Sequence, residues 1–437
     1  MKGRVILAGL MVMAAGLCLV AIACEQPATG SGMNIPEPEE EVLAEFDEQL
    51  ANASNEFGFN LLHKVADAKG GDEAHDETTD AELENMFISP TSIYTALAMT
   101  YNGAGGETQA AMADVLGIDG VDLERFNRNN LARLYQLQEA DPEVILNIAN
   151  SLWMREGKEF DPDFVERNMD YYHAAARELD FDEREAVDTI NSWVEDRTDG
   201  LIEEIVEYPI DPLTVLFLIN AVYFQGDWSE SFDAEETRQD IFYAPDQDIE
   251  DVPFMQQSGD FDYLEKEDEF QAVRLPYGEE ERLAMYVFLP SNQSSLSELL
   301  GSLDATQWDK WQEQFQNVEG NLALPKFTLE YEKTLNEILE NMGMEVAFNA
   351  DRADFYDMLA RDEGQRLFIS EVKHKAFIEV DEKGTEAGAA TSVEMTLESV
   401  PVDEFQMNVN RPFYFHIHDR ETNEVLFNGT VVDPTEE

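Results

Sequence analysis

Residues 384 to 399, GTEAGAATSVEMTLES, alternate where a loop is expected. The odd positions Thr385, Ala387, Ala389, Thr391, Val393, Met395 and Leu397 start small and become apolar, while the even positions from Glu386 to Glu398 are small, hydroxylic or acidic. A period of two is the mark of a half-buried strand, with one face packed and the other wet. Yet the flanking runs, KHKAFIEV at 373–380 and RPFYFHIHD at 411–419, read as strands themselves. The segment is thus a loop by position and a strand by pattern, and it is rich in Gly and Ala, both poor strand formers. Any fold for this chain has to accommodate both descriptions.

The remaining composition allows a large core but sets an unusual surface. The chain has 437 residues, 43% hydrophobic, with 26 Phe. It carries 93 Asp and Glu against 28 Lys and Arg, a net charge of −65. The acids are spread over nearly every segment, so they form a surface and not a tail. Such self-repulsion is tolerated where salt screens it, because the Debye length shrinks to about 3 Å at 1 M. A halophilic source is expected, and nucleic-acid binding is disfavoured because phosphates would be repelled.

The first residues, MKGRVILAGLMVMAAGLCLVAIAC, read as a signal peptide over 1–23, with Ala21-Ile22-Ala23-Cys24 resembling a lipoprotein cleavage box. An uncleaved anchor is the competing reading, since the run is long enough to span a bilayer. Cys24 is the expected lipid attachment point, followed through residue 44 by an acidic Pro/Gly tether, and residues 45–437 form one domain. Both cysteines, Cys18 and Cys24, lie in the leader, which leaves no disulfide framework and no thiol catalysis.

Helical periods occur in NEFGFNLLHKVAD, SIYTALAMTYNGA, ETQAAMADVLG, DFVERNMDYY and TLNEILENMG. Strand-like runs are VILNIANSLWM, LTVLFLINAVYF, LAMYVFLP and the two flanks above. Helices cluster early, strands dominate later, and no regular βαβ alternation exists, so the class is α+β in one large unit. Catalytic signatures are missing: there is no G-x-S-x-G, H-E-x-x-H, P-loop or dinucleotide glycine fingerprint. His416 and His418 share a strand face, a spacing that suits packing better than a metal. His374 suits a structural hydrogen bond. No cofactor, metal or catalytic residue is expected, and the chain is read as a non-enzyme.

Several segments resemble the serpin family, in the family's order: residues 85–117, LNIANSLWM, FLINAVYFQGDWSESF, ALPKFTLEYEKTLNEILENMGMEVAF, SEVKHKAFIEVDEKGTEA and NRPFYFHIHDRETNEVLFNGTVV. The resemblance implies three β-sheets, about nine helices and an exposed reactive loop over about 382–405. It implies an extracytoplasmic suicide inhibitor of serine or cysteine endopeptidases, which traps the acyl-enzyme when the cut loop inserts into the central sheet. The alternative is a non-inhibitory binding or storage serpin. The target protease is then the partner, the membrane is met only through Cys24, and the protein is a monomer.

By the same resemblance, Glu382, Gly384, Thr385, Ala387, Ala389 and Thr391 form the hinge. Ser89, Ser92, Asn191 and His374 match a polar cluster beneath the central strands, and Trp228 matches the aromatic where insertion starts. Counting from the hinge puts the reactive bond at Glu398-Ser399, with Leu397-Glu398 as the neighbour; counting back from Asn410 puts it near Pro401. On physical grounds Gly384 lets the chain reverse, the small residues slide between parting strands, and Val393, Met395 and Leu397 fill the core face. Thr385 to Glu398, extended, would carry an attached protease about 46 Å.

Overall fold

The computed structural model describes residues 35–44, 46–67, 80–141, 143–360, 367–385 and 405–436. Among them are eight helices of seven or more residues: α1 (Glu48–Asp67), α2 (Pro90–Tyr101), α3 (Gly106–Val115), α4 (Leu123–Gln138), α5 (Pro162–Tyr172), α6 (Arg184–Arg197), α7 (Leu296–Ser302) and α8 (Ala305–Gln312). Local chemistry starts several of them. Ser89 and Asp161 cap α2 and α5, each followed by Pro at the first helical position. Asp122 and Asp304 cap α4 and α8, and Ser295 with Glu298 closes a reciprocal capping box on α7. The stretch TLNEILENMG is helical from Asn336 until Gly343, at φ 121°, breaks it ahead of Glu345–Phe348.

Fifteen strands follow in chain order: β1 (Met86–Ile88), β2 (Val144–Arg155), β3 (Ala175–Leu179), β4 (Leu216–Asp227), β5 (Arg238–Tyr243), β6 (Asp248–Lys266), β7 (Phe270–Pro276), β8 (Leu283–Pro290), β9 (Gln316–Pro325), β10 (Phe327–Thr334), β11 (Lys373–Val380), β12 (Gly384–Thr385), β13 (Phe405–Asn408), β14 (Phe413–Asp419) and β15 (Glu424–Val431). One sheet has the order β10-β11-β12-β4-β2-β3. The other strands form a continuous path, β1-β15-β14-β8-β7-β6-β9-β13, with β5 on β6. The 19-residue β6 joins what are otherwise two sheets: its last residues pair with β7 and its first with β5. The expectation of an α+β fold with three sheets holds on that division.

The main core lies between the sheets, where β8, β14 and β15 are buried along their whole length. Here Phe87 stacks on Phe415 and Phe427. A smaller core seals the opposite face of the six-stranded sheet, where Val187, Ile190 and Val194 of α6 cover Trp153, Ile219 and Ala221. Along β4 the odd residues Ile219 and Ala221 therefore face α6, whereas Leu216, Leu218, Val222 and Phe224 belong to the main core. This alternation orients everything placed beside β4.

Candidate functional site

Two residues, Gly384 and Thr385, are seated as a short strand between β11 and β4. Thr385 lies opposite Val380 on one side and Gly226 on the other, and Gly384 lies opposite Asp227, all antiparallel. No ladder joins β11 directly to β4 among the described residues, and the interval between those two strands below β12 is the slot. The turn into it is made by Asp381, whose Oδ1 accepts from the backbone N–H of Lys383 at 2.8 Å and of Gly384 at 3.3 Å. Gly384 is not at positive φ. Its glycine is required by close approach instead: a Cβ there would lie 2.1 Å from the Gly226 carbonyl oxygen and 2.7 Å from Asp227 Cα. The reversal expected of Gly384 thus belongs to Asp381.

Thr385 is 2% exposed, and its hydroxyl meets the buried Tyr277 hydroxyl at 2.8 Å. Trp228 stacks on the Tyr277 ring at 4.5 Å and donates from its indole Nε1 to the Asp381 carbonyl at 3.0 Å. Backbone bonds from Trp228 N to Lys383 O and from Phe232 N to Glu382 O tie the turn down. Glu382 accepts from Lys326 Nζ and Thr237 Oγ1, each at 2.7 Å. Burial pushes its carboxyl up, but these charged and hydroxyl donors outweigh it and hold the group below the usual range. Tyr277 and Lys326 had no marker in the sequence, because each reaches the hinge from a distant strand end.

Lower in the slot, His374 on β11 is buried, and its Nε2 accepts from the Ser89 backbone N–H at 3.1 Å. That bond requires a neutral ring, and burial pulls its pKa down to about 4. Ser89 Oγ donates to Leu426 O at 2.9 Å and accepts from Ser92 N at 3.2 Å, so one residue caps α2 and ties it to β15. Ser89, Ser92 and His374 are thus joined by hydrogen bonds.

Asn191 is not among them. It lies on α6, where Oδ1 accepts from Ile205 N and Val206 N and Nδ2 donates to Val206 O, pinning the loop that follows the helix. The asparagine facing the slot is Asn220 on β4, in phase with the main-core residues Leu218 and Val222. Its Nδ2 donates to Asn150 Oδ1 at 2.6 Å, while its buried Oδ1 has no partner among the described residues. A polar residue at a core phase of FLINAVYF was the available signal.

His416 and His418 pack against Trp308 and Tyr286, and among the described residues no group of side chains could hold a metal ion. Ala387, Ala389, Thr391, Leu397, Glu398, Ser399 and Cys24 lie outside the described residues.

A central sheet in which a tethered two-residue strand separates β11 from β4 defines a class of protein. The sequence profile of the family Serpin (serine protease inhibitor) matches residues 52–434, and the chain belongs to that family, whose members are mostly protease inhibitors and not catalysts. It is 34% identical to an uncharacterized serpin-like protein of Thermococcus kodakarensis, over 99% of both chains. It is 30% identical to antithrombin-III of Mus musculus, over 93% of this chain and 85% of that one. Among solved structures, the thermophilic serpin tengpin in its native state superposes with a TM-score of 0.77 at 35% identity, covering 89% and 95% of the two chains. Thyroxine-binding globulin complexed with thyroxine gives 0.75 at 26% identity, covering 88% and 99%.

Proposed function

We propose that this chain is an extracytoplasmic suicide inhibitor of serine or cysteine endopeptidases. The protease nucleophile bonds to the carbonyl carbon of Glu398 as the Glu398-Ser399 amide breaks. The amine of Ser399 leaves with a proton, and the freed hinge carries the acyl-enzyme along the slot. Leu397-Glu398 is the alternative bond. Glu398 suits a glutamyl-specific pocket, whereas Leu397 suits chymotrypsin-like or subtilisin-like ones.

The observation that carries the reading is the register of β12. Continued downward two residues at a time in a cut molecule, it would set Ala387 opposite Phe224 and Ile378, and Ala389 opposite Val222 and Ala376. Thr391 would then fall opposite Asn220 and His374, Val393 opposite Leu218, and Met395 opposite Leu216. Small residues would meet the upper slot, a hydroxyl would meet the Asn220 oxygen, and apolar residues would meet Leu218 and Leu216, which are only partly buried. β4 ends at Leu216, so the filling strand runs from Thr385 to Met395 and moves the protease about 36 Å.

The leader over 1–23, a lipidated Cys24 and the tether to residue 44 would hold the inhibitor at the outer face of the cell envelope as a monomer, in a salty medium that screens its charge. No helix among the described residues is long and apolar enough to cross a membrane. The likeness to thyroxine-binding globulin supports a second reading, a non-inhibitory binding protein. Incubation in high salt with glutamyl-specific, subtilisin-like and trypsin-like proteases separates the two. A covalent complex that survives denaturing electrophoresis is expected from inhibition, and plain cleavage by every protease would leave the second reading.

A further inference from the structure

Away from the slot, where β7, β8 and β13 converge near Tyr243, the surface opens into a cavity of about 400 Å³, a size typical of small-ligand sites. Its lining comprises Arg411, Tyr243, Leu289 and five carboxamide side chains, among them Asn292, Gln406 and Asn408. None of the lining residues is acidic, although acids outnumber bases 93 to 28 in the chain.

Arg411 is the unusual member. Three other arginines with little exposed side chain are neutralised: Arg133 by Glu424, Arg274 by Asp262 and Arg282 by Asp419. Arg411 instead donates from Nε and Nη2 to the Pro290 carbonyl at 2.9 and 2.5 Å, and from Nη1 to Asn410 Oδ1 at 3.3 Å. Burial is the one cause acting on its pKa, and it acts downward, so no carboxylate offsets the lost hydration. A guanidinium has five N–H donors, so one N–H on each terminal nitrogen is left to meet a carboxylate. The side chains of Asn292, Gln406 and Asn408 make no hydrogen bond among the described residues, which leaves amide donors and acceptors around that charge.

We propose that this cavity binds a small organic carboxylate, its anionic end on Arg411 and its hydrogen-bonding body among the carboxamides. The site is separate from the hinge and does not depend on loop insertion. The net charge of the chain repels anions at long range, so binding should improve with screening, unlike that of an ordinary surface ion pair.

The test is calorimetric titration of the full chain with N-acetylglycine in concentrated sodium chloride, against the neutral N-acetylglycinamide. Saturable millimolar binding of the acid and none of the amide is expected. Because Arg411 also holds the Pro290 carbonyl, Arg411→Lys could disturb folding. Asn408→Asp, at an exposed rim position, instead places a negative charge in the cavity and should weaken binding about tenfold with an unchanged thermal midpoint. Equal binding of the neutral amide, loss of binding to chloride alone, or indifference to Asn408→Asp would each overturn the proposal, as would absence of saturable binding.

Discussion

At the top of the slot Thr385 is wedged between Val380 and Gly226 with its hydroxyl on Tyr277, whereas at the level of His374 and Asn220 no described strand lies between β11 and β4. The upper end is held by ladder bonds, an aromatic stack and the Glu382–Lys326 ion pair. The lower level is held by polar groups that reach across the molecule: a helix N-terminus bonded to His374, and an asparagine with one oxygen unpaired. On the proposed insertion, the upper end would select what slides in, since a Cβ at Gly384 would meet the Gly226 carbonyl. The lower level would set how readily the strands part, since its polar groups would have to find new partners when a strand arrives.

The largest expected effect is therefore at the top. Thr385→Arg forces a long cation into a site that is 2% exposed, and an unpaired buried charge costs several kcal/mol. The variant should be cut as a substrate at the normal rate and should lose covalent complex formation. Because only Gly384 and Thr385 form β12, losing that seat leaves the other ladders in place, and the circular dichroism of the uncut variant should match the parent at a lower thermal midpoint. Retained inhibitory stoichiometry would mean that the face assignment from the alternation is wrong.

Lower in the slot the effect follows pH. His374 titrates near 6.5 when unfolded and near 4 when folded, so the folded state prefers the neutral ring. Above 6.5 both states are neutral and the contribution is complete. As pH falls from 6.5 towards 4 the unfolded chain takes up a proton that the folded chain refuses, and stability drops by about 1.4 kcal/mol per unit. Below 4 both states are protonated and the loss levels off. His374→Gln retains an acceptor for the Ser89 N–H and should flatten this dependence in urea melts between pH 6.5 and 5. An unchanged slope would assign the acid sensitivity to the other buried histidines.

The smallest effect separates the uncut from the cut molecule. On the proposed insertion, Thr391→Val removes a hydroxyl that would meet Asn220 in the cut form, so the cut form should lose about 1 kcal/mol and the uncut midpoint should stay fixed. Equal losses in both forms would break the register argument.

How far the sequence revealed this contrast differs between the two levels. The alternation over 384–399 was legible, because a period of two survives in any context and the segment lies between two clear strands. The reason for Gly384 was not, since it depends on the carbonyl of Gly226. Tyr277 was invisible for a similar reason, being 108 residues from the threonine it touches. Asn191 and Asn220 each follow an isoleucine, and only the sheet pairing decides which one faces the slot. Helices α4 and α6 went unread because their exposed faces are crowded with charge, which dilutes the helical period.

The central claim is that the loop becomes a strand once it is cut. Insertion from Thr385 to Met395 would add a ladder on both sides at about 0.5 to 1.5 kcal/mol per bond, and would bury Val393 and Met395 at about 1.5 to 3 kcal/mol each. The total is on the order of 10 kcal/mol, and unfolding entropy of about 2.1 cal/mol/K per residue converts this to a rise of at least about 10 °C. The measurement is a thermal melt at one fixed high salt concentration before and after limited proteolysis, with the cut located by mass spectrometry. A higher midpoint by that margin after a cut between Met395 and Val400 is the predicted result, and an unchanged or lower midpoint would contradict insertion.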